Sequence, residues 1–342
     1  MVDPRIAVLG AGANGASIGA DLTAAGLDVV LIEQWPAHVE RMRADGLHII
    51  SPDGTLTVRP RTMHLCEVAT LRERFDVVLM LMKAYDSRWA AQLIAPYLAK
   101  DGLIAGVQNG MTTGTIADVV GAERTMGTVI EVSSTMSEPG IVHRHTEVAK
   151  SWFAVGAPEH GPRGREEEIA SLLRHSGTVE VVDAIEATKW MKLVSNCTLL
   201  VPSAILGLPM LDALHTPGMR EVMLQAGREA LAVGLAIGHP VLPIFGLTPK
   251  EVADTDRVVE TMLDKLFAGF VVPGATTTVL QDWDKSRRSE ADDLNGHVVA
   301  AGARLGVTTR MNAAVLELAH RIEHGDLAPD PGNIALMLRA GD

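Results

Sequence analysis

One lysine in the second half of the chain lies within a predicted apolar helix. Lys192 sits between Trp190 and Val194 in the stretch KWMKLVSN, and Asn196 follows one helical turn later on the same face. Burying an ammonium is costly unless a neighbour needs its charge or its proton. In such a setting a lysine can stabilise a developing negative charge or supply a proton. Position alone favours a solvated stripe on which Lys192 extends its ammonium to water.

A second polar cluster lies in TTTVLQDWDKSRRSEADDLNG, residues 276–296. Ser289 and Asp292 fit a capping box that starts a helix and places Glu290 in its first turn. A carboxylate there interacts favourably with the helix dipole, by typically about 0.3–1 kcal/mol, so it does not by itself indicate catalysis. Thr278 ends a run of threonines that also fits ordinary packing.

The strongest local pattern is a glycine-rich loop near the start of the chain. Residues 5–9 have the pattern of a buried strand, and G-x-G-x-x-G then opens a helix of small residues. A second strand, DVVLI, ends at Glu33. The glycines allow a tight turn, close approach of a pyrophosphate and close helix packing, and the acid accepts hydrogen bonds from ribose hydroxyls. The pattern therefore predicts a dinucleotide site formed by Gly10, Gly12, Ala13, Asn14, Gly15 and Glu33.

Further polar residues follow the next strands. The strands FDVVLMLMK and GLIAGVQNG end at Lys83 and Asn109. Ligands of open parallel sheets bind beyond the carboxyl ends of strands, where Glu33 also lies. Position alone also fits a solvated lysine at 83 and a plain Asn-Gly turn at 109. Between these elements, residues 47–63 predict a hairpin that turns at Asp53 and Gly54.

The character of the chain changes near residue 183. Strands alternate with helices before it, and residues 125–182 are predicted to complete the sheet. The predicted helices after it are 184–200, 218–236, 250–268, 289–304 and 311–323. The sequence therefore predicts an α/β fold, with a Rossmann dinucleotide-binding domain at 1–183 followed by an all-helical domain at 184–342.

Composition excludes several classes of function. The net charge of −12 over 342 residues disfavours a nucleic-acid or anionic-membrane surface. The cysteines, Cys66 and Cys197, are too few for a disulfide framework and predict a cytoplasmic protein. The longest apolar stretch, LLVPSAILGLPML, is too short to cross a bilayer. His320 and His324 share a helix face without a third ligand, so no metal site is predicted.

The sequence resembles the ketopantoate reductases, or 2-dehydropantoate 2-reductases, over nearly its whole length. The motifs that carry the resemblance are G-x-G-x-x-G at 10–15, KAY at 83–85, QNG at 108–110, W-x-K-L-x-x-N at 190–196 and LQD…S-E-A-D-x-x-N-G at 280–296. The last two are the specific ones. The resemblance implies a Rossmann domain joined to a helical substrate and catalytic domain, here residues 184–342, and hydride transfer between a nicotinamide cofactor and a 2-oxo or 2-hydroxy acid.

The resemblance also implies a role for each matching residue. Lys192 is implied as the general acid or base, and Glu290 as the residue that holds substrate and orients that lysine. The opposite charge of Glu290 would then account for Lys192 among apolar neighbours. The remaining implied contacts with substrate or cofactor are Asn109, Asn196, Thr278 and Lys83.

Three residues depart from the family pattern. Leu200 and Met210 stand where further asparagines are expected, and Glu33 stands where many members carry an arginine or a small polar residue suited to NADP. Glu33 favours NAD(H) over NADP(H) as the cofactor. Leu200 and Met210 favour an oxo acid other than ketopantoate as the substrate. Two alternatives stay open, namely a dehydrogenase that oxidises a different hydroxy substrate on the same scaffold and a non-catalytic nucleotide-binding regulator. We expect a homodimer for a chain of this kind.

Overall fold

The computed structural model describes residues 4–341 of the chain. It divides into two compact units, Met1–Glu186 and Ala187–Asp342. The expected domain boundary at residue 183 stays a prediction, because a compact unit is not by itself an independently folding domain.

Among the described residues, all twelve strands lie in the first unit, together with five complete helices. The helices are α1 (Ala13–Ala24), α2 (Pro36–Asp45), α3 (Ser87–Ile94), α4 (Thr113–Val120) and α5 (Glu166–Leu173). The strands are β1 (Ile6–Leu9), β2 (Val29–Glu33), β3 (Leu47–Ser51), β4 (Gly54–Val58), β5 (Arg61–His64), β6 (Phe75–Met80), β7 (Leu98–Gly106), β8 (Thr125–Glu131), β9 (Ser134–Glu138), β10 (Ile141–Arg144), β11 (Trp152–Gly156) and β12 (Thr178–Val181).

The main sheet has the order β12-β11-β8-β7-β6-β1-β2-β5. Its strands run parallel except for the antiparallel pair β8 and β11. Alternate residues of β1 belong to two different apolar cores, Ile6 and Val8 to one and Ala7 and Leu9 to the other. Such strands have a continuous apolar run because both faces are covered. Strand order reverses at β1, so the crevice beyond β1 and β6 is where this architecture binds ligands.

A second sheet of the first unit has the order β4-β3-β10-β9. The predicted hairpin is confirmed, since β3 and β4 are antiparallel and Ser51 pairs with Gly54. The prediction that residues 125–182 complete the main sheet holds for β8, β11 and β12 and is wrong for β9 and β10. Those two strands instead extend the hairpin sheet, where Ile141 pairs with His48. This pairing joins segments far apart in sequence, and local patterns do not encode it.

In its described residues, the second unit has helices joined by loops and no strand, as predicted. Its helices are α6 (Ile185–Ile205, beginning at the end of the first unit), α7 (Met210–His215), α8 (Met219–Ile237), α9 (Pro249–Ala253), α10 (Val258–Gly269), α11 (Thr278–Asp284), α12 (Asn295–Leu305), α13 (Arg310–Glu323) and α14 (Ile334–Gly341). Within residues 4–341, none of the helices combines the length and the apolar character needed to cross a membrane.

Three predicted helices differ from those observed. Helix α6 continues past residue 200 and through Pro202, because Val201, Ala204 and Ile205 are fully buried and packing outweighs the proline penalty. The predicted helix 250–268 is two helices, α9 and α10, separated at residues 254–257. The predicted helix 289–304 begins only at Asn295.

Candidate active site

The glycine-rich loop joins β1 to α1 with little space to spare at two of its glycines. Gly10 has φ of +92°, and a Cβ there would lie 2.8 Å from the sulfur of Met82, in the segment that follows β6. A Cβ on Gly15 would lie 2.0 Å from the carbonyl oxygen of Gly10. These positions require glycine so that the loop can turn and α1 can pack against the sheet, as predicted.

Gly12 is different, because its missing side chain leaves open space. A Cβ built there meets no atom within 4 Å, and the φ of −62° suits any residue. The fold itself therefore does not require glycine at this position. Gly12 is also the N-cap of α1, which has no side-chain cap and no acidic residue in its first turn. Among the described residues, the buried Oδ1 of Asn14 has no hydrogen-bond partner. An accessible backbone at the positive end of a helix dipole, with an unpaired acceptor nearby, fits a pyrophosphate and its sugar.

His38 holds this loop, and the sequence did not indicate it. The imidazole is fully buried on α2, its Nε2 lies 3.1 Å from the carbonyl oxygen of Ala11, and its Nδ1 accepts from the amide of Gly140 at 2.8 Å. Accepting at Nδ1 places the proton on Nε2, which therefore donates to Ala11. Burial lowers the pKa of His38, which keeps the ring neutral. Neither contact lies close to His38 in sequence, so no local pattern reveals the role.

Glu33 occupies the end of β2, as predicted. Its side chain is 6% exposed, and Oε1 accepts hydrogen bonds from the backbone amides of Gln34 and Trp35, both at 2.9 Å. These two amides fix the direction of the carboxylate at the strand end. Two cations of the following helix, α2, pair with other acids: Arg41 with Asp45 at 2.8 Å, and Arg43 with Glu40 at 3.1 Å and with Glu67.

Lys83 and Asn109 follow the adjacent strands β6 and β7, and both are half-buried. Gln108 connects the two strand ends, because its Nε2 donates to the carbonyl oxygen of Met82 at 2.7 Å and to Ser87 Oγ at 3.0 Å. The QNG motif therefore contains one anchoring residue, Gln108, beside the predicted contact Asn109. Within the first unit, the predicted cofactor residues lie at the carboxyl ends of the neighbouring strands β2, β1, β6 and β7.

Helix α6 carries Lys192 and Asn196 in the second unit. Lys192 is half-buried, and its Nζ lies 4.9 Å from the centre of the Phe245 ring. Asn196 is 3% exposed, and among the described residues its Nδ2 has no hydrogen-bond partner. Lys189 and Ser203, which share the polar stripe, are also buried. Lys189, Asn196 and Ser203 are therefore not part of a solvated face, and an unpaired buried donor lies one turn from a lysine.

Glu290 lies on a turn and not in the first turn of a helix, so the predicted capping box is wrong. Its backbone carbonyl accepts from the amides of Asp293 and Leu294, both at 3.0 Å. Ser289 does not bond to Asp292, because its hydroxyl donates to Glu323 Oε1 at 2.6 Å, and its amide donates to the same oxygen at 2.9 Å. Asp292 instead binds Arg288 and His320. Contacts with His320 and Glu323 of α13 therefore hold the turn, and Glu290 itself is buried.

Asn295, directly after this turn, ties it to the lysine helix. Its Nδ2 donates to the carbonyl oxygen of Cys197 on α6 at 3.2 Å and to Asn312 Oδ1 at 2.9 Å. Asn312 in turn donates to Glu229 Oε2 at 2.8 Å, and Glu229 also accepts the amides of Met311 and Asn312. All these side chains are buried. The network was missed because its members come from four separate stretches of the chain.

Three further residues complete the set of candidates. Thr278 begins α11 after its N-cap Thr277, and among the described residues its buried Oγ1 has no hydrogen-bond partner. Burial raises the pKa of the Cys197 thiol, which makes it a poor nucleophile. His320 binds Asp292 at 2.7 Å, and no group of metal-ligating side chains occurs in residues 4–341.

Comparison with known families gives two matches along the chain. The family model described as ketopantoate reductase PanE/ApbA matches residues 6–158, and its C-terminal counterpart matches residues 184–323. The curated 2-dehydropantoate 2-reductase of Caulobacter vibrioides is 29% identical over 330 residues, which is 92% of this chain and 97% of that protein.

Solved structures agree with the fold. The PanE/ApbA family ketopantoate reductase of Ralstonia eutropha JMP134 is 28% identical with a TM-score of 0.77, covering 94% of this chain and 99% of that one. D-mandelate dehydrogenase, solved with NADH and anilino(oxo)acetate, has a TM-score of 0.82 over the same shares of the two chains. At 22% identity, this second likeness shows the fold alone.

Proposed function

The chain belongs to the ketopantoate reductase family and is an oxidoreductase acting on CH–OH groups, and we propose that Lys192 is its proton donor and acceptor. The observation that carries this proposal is the half-buried Lys192 one turn from the unpaired, buried Nδ2 of Asn196. Family membership also sets aside the alternative of a non-catalytic regulator.

The proposed reaction interconverts a 2-oxo acid and its 2-hydroxy acid. The bound nicotinamide cofactor supplies or accepts the hydride. As the carbonyl carbon gains hydride, its oxygen becomes an alkoxide, and Lys192 Nζ gives that oxygen a proton. The lysine then recovers its proton from water. In the oxidative direction, neutral Lys192 takes the hydroxyl proton.

The other polar side chains hold the substrate in this proposal. Asn196 Nδ2 and Thr278 Oγ1 donate to substrate oxygens, which satisfies two polar atoms that otherwise stay buried and unpaired. Glu290 orients Lys192 and holds substrate. Its turn is held in place by the hydrogen bonds of Ser289 to Glu323. Asn109 contacts substrate or cofactor from the end of β7.

The cofactor residues are proposed as Gly10, Gly12, Ala13, Asn14, Gly15, Glu33, Lys83 and Asn109. Their arrangement fits the group, because the open space at Gly12 and the uncapped start of α1 accept a pyrophosphate. We propose NAD(H) as the preferred form. The Glu33 carboxylate accepts hydrogen bonds from the ribose hydroxyls. Arg41 and Arg43 pair with other carboxylates and therefore do not neutralise a 2′-phosphate.

We propose that the substrate has an apolar tail and is not ketopantoate. Leu200 and Met210 are half-buried and offer no hydrogen bond to a substrate hydroxyl. A hydroxyl buried without a partner costs about 1–3 kcal/mol. The alternative, a dehydrogenase that works in the oxidative direction on another hydroxy substrate, uses the same residues.

The test is cofactor absorbance at 340 nm with a panel of 2-oxo acids and 2-hydroxy acids. The panel pairs ketopantoate with analogues that have the same chain but lack its hydroxyl. We expect steady turnover, with kcat/KM highest for an apolar analogue. Absence of turnover across the panel contradicts the proposed substrate class, and a tenfold preference for ketopantoate contradicts the apolar tail.

We also propose that the chain forms a homodimer in the cytoplasm. A reducing compartment is supported by Cys66 and Cys197, which are both free. Two-fold dimers are the commonest closed assemblies of soluble chains. Light scattering that gives the 36.4 kDa mass of one chain would contradict the dimer.

A further inference from the structure

Phe245 has a backbone conformation that its side chain does not favour. It lies in the turn 244–247, closed by a hydrogen bond from the amide of Leu247 to the carbonyl of Ile244 at 2.9 Å. The two central residues, Phe245 and Gly246, have φ of 52° and 72°. Asparagine, aspartate and glycine are the residues that suit two successive positive φ angles. A bulky residue in the left-handed region is a genuine outlier, and such outliers persist where the surroundings impose them.

Several contacts hold the turn and the Phe245 ring. Phe245 is 7% exposed, and its ring packs edge-to-face on Phe270 with centroids 5.5 Å apart. Lys265 Nζ donates to the carbonyl oxygen of Gly246 at 2.9 Å and pairs with Glu251 at 3.2 Å. Glu251 forms a capping box with Thr248 at the start of α9. Phe270 therefore contacts the ring, and Lys265 holds the backbone of the turn that carries it.

That position is against the lysine of the active site. The Nζ of Lys192 lies 4.9 Å from the centre of the Phe245 ring, inside the range of about 6 Å over which a ring face attracts an ammonium. A lysine side chain has four rotatable carbon–carbon bonds and loses much freedom when its ammonium is fixed. A carboxylate also fixes an ammonium but competes for its proton. A ring face attracts the ammonium and takes no proton.

We propose that Phe245 is a positioning residue, whose ring holds the Lys192 ammonium in the direction from which it delivers the proton. This inference rests on the proposed role of Lys192 as proton donor. It explains why a phenylalanine occupies a turn position better suited to asparagine or glycine. The same position presents an apolar surface beside the reacting oxygen, in keeping with a substrate that has an apolar tail.

The test replaces the ring in graded steps. Phe245→Leu keeps apolar bulk and removes the ring face, whereas Phe245→Tyr keeps the ring. Phenylalanines with one, two and three ring fluorines, incorporated at position 245, keep the shape and weaken the attraction for a cation. Phe270→Leu is the matched control, since it removes the ring that packs on Phe245.

The expected result is a fall in kcat by roughly 2- to 30-fold for Phe245→Leu, with little change in KM, and near-wild-type kcat for Phe245→Tyr. Log kcat should fall stepwise along the fluorinated series, and Phe270→Leu should change kcat less than Phe245→Leu. A fluorinated series with constant kcat overturns the proposal, whatever Phe245→Leu does. Because that series preserves packing, it decides the question even if Phe245→Leu folds poorly.

A measurement that does not depend on turnover separates this proposal from the proposed function. Reductive methylation with ¹³C-formaldehyde keeps the lysine charge and gives an NMR signal for Lys192, assigned by its loss in Lys192→Arg. The Phe245 ring should shift that signal upfield, and Phe245→Leu should remove the shift. A shifted signal with no turnover on any oxo acid would contradict the proposed function alone. An unshifted signal would contradict the position assigned to Phe245.

Discussion

Asn295 donates a hydrogen bond from Nδ2 to the carbonyl oxygen of Cys197, 3.2 Å away, across 98 positions of sequence. Cys197 follows Asn196 on α6, and Asn295 follows the turn that carries Glu290. This single contact joins the two polar clusters that the sequence indicates separately. It also lies in a buried network with Asn312 and Glu229, so its geometry is fixed from several sides.

Asn295→Leu should lower both stability and turnover. The substitution leaves the buried Oδ1 of Asn312 without its partner, which costs about 1–3 kcal/mol in the free energy of unfolding. Displacement of the Glu290 turn by a fraction of an ångström should lower kcat by about tenfold or more. Urea denaturation and steady-state kinetics measure the two effects.

Asn333→Leu is the matched control for this variant. Asn333 is also buried and donates from Nδ2 to a carbonyl of α6, that of Ile205 at 3.1 Å, but it does so at the far end of the helix from Lys192. It should lose stability and keep its kcat. An equal loss of kcat in both variants would mean that Asn295 acts through general stability and not through the turn.

Gly12→Ala and Gly15→Ala should fail in different ways. A Cβ at Gly12 meets nothing within 4 Å, so the fold should tolerate it, but the methyl group occupies the space proposed for the pyrophosphate. The Kd for NADH should rise about tenfold or more, or about 1.4 kcal/mol. A Cβ at Gly15 would lie 2.0 Å from the Gly10 carbonyl oxygen, so that variant should unfold at lower temperature. Unchanged NADH binding by a folded Gly12→Ala variant would contradict the assigned cofactor loop.

The cofactor preference depends on Glu33. The 2′-phosphate of NADPH would place a negative charge beside the Glu33 carboxylate. Unit charges about 4 Å apart repel by about 4 kcal/mol at an effective dielectric of about 20, before salt and relaxation reduce the value. The wild type should therefore have a higher kcat/KM with NADH than with NADPH. Glu33→Gln, which keeps the size of the side chain and removes its charge, should narrow the difference. A wild type that prefers NADPH would show that the Glu33 carboxylate does not meet the ribose.

Acid should destabilise the fold partly through His38. Burial lowers its pKa from the ordinary 6.5, so between 6.5 and the lower folded value the unfolded chain binds a proton that the folded chain does not. The free energy of unfolding should fall as the pH falls through this range, by at most about 1.4 kcal/mol per pH unit. Burial also lowers the pKa of His297, which contributes in the same direction. Above 6.5 the contribution is fully present.

His38→Gln should have a weaker pH dependence than the wild type, measured by urea denaturation at about pH 8 and about pH 5.5. His324→Gln, which changes an exposed histidine, is the control and should follow the wild type. If His38→Gln retains the full dependence, the buried imidazole is not its source.

Local patterns predicted the parts of the site that local sequence determines. The glycine loop, Glu33 and the position of Lys192 each depend on neighbours within a few residues, and the structure has them in the predicted elements. The turn at Glu290 was predicted as a helix start because Ser289 fits a capping box. That prediction failed because Glu323, 34 residues later, binds the Ser289 hydroxyl and amide. His38 and Asn295 were missed for the same reason, since their partners lie 102 and 98 positions away.

The substitution Lys192→Ala tests the central claim most directly. The variant should bind NADH with the wild-type Kd, because the proposed cofactor loop belongs to a different part of the chain. Its kcat at saturating substrate and cofactor should fall by about 10²–10⁴-fold, the usual contribution of a general acid. A folded Lys192→Ala protein that loses less than about tenfold in kcat would contradict the role of Lys192 as the proton donor.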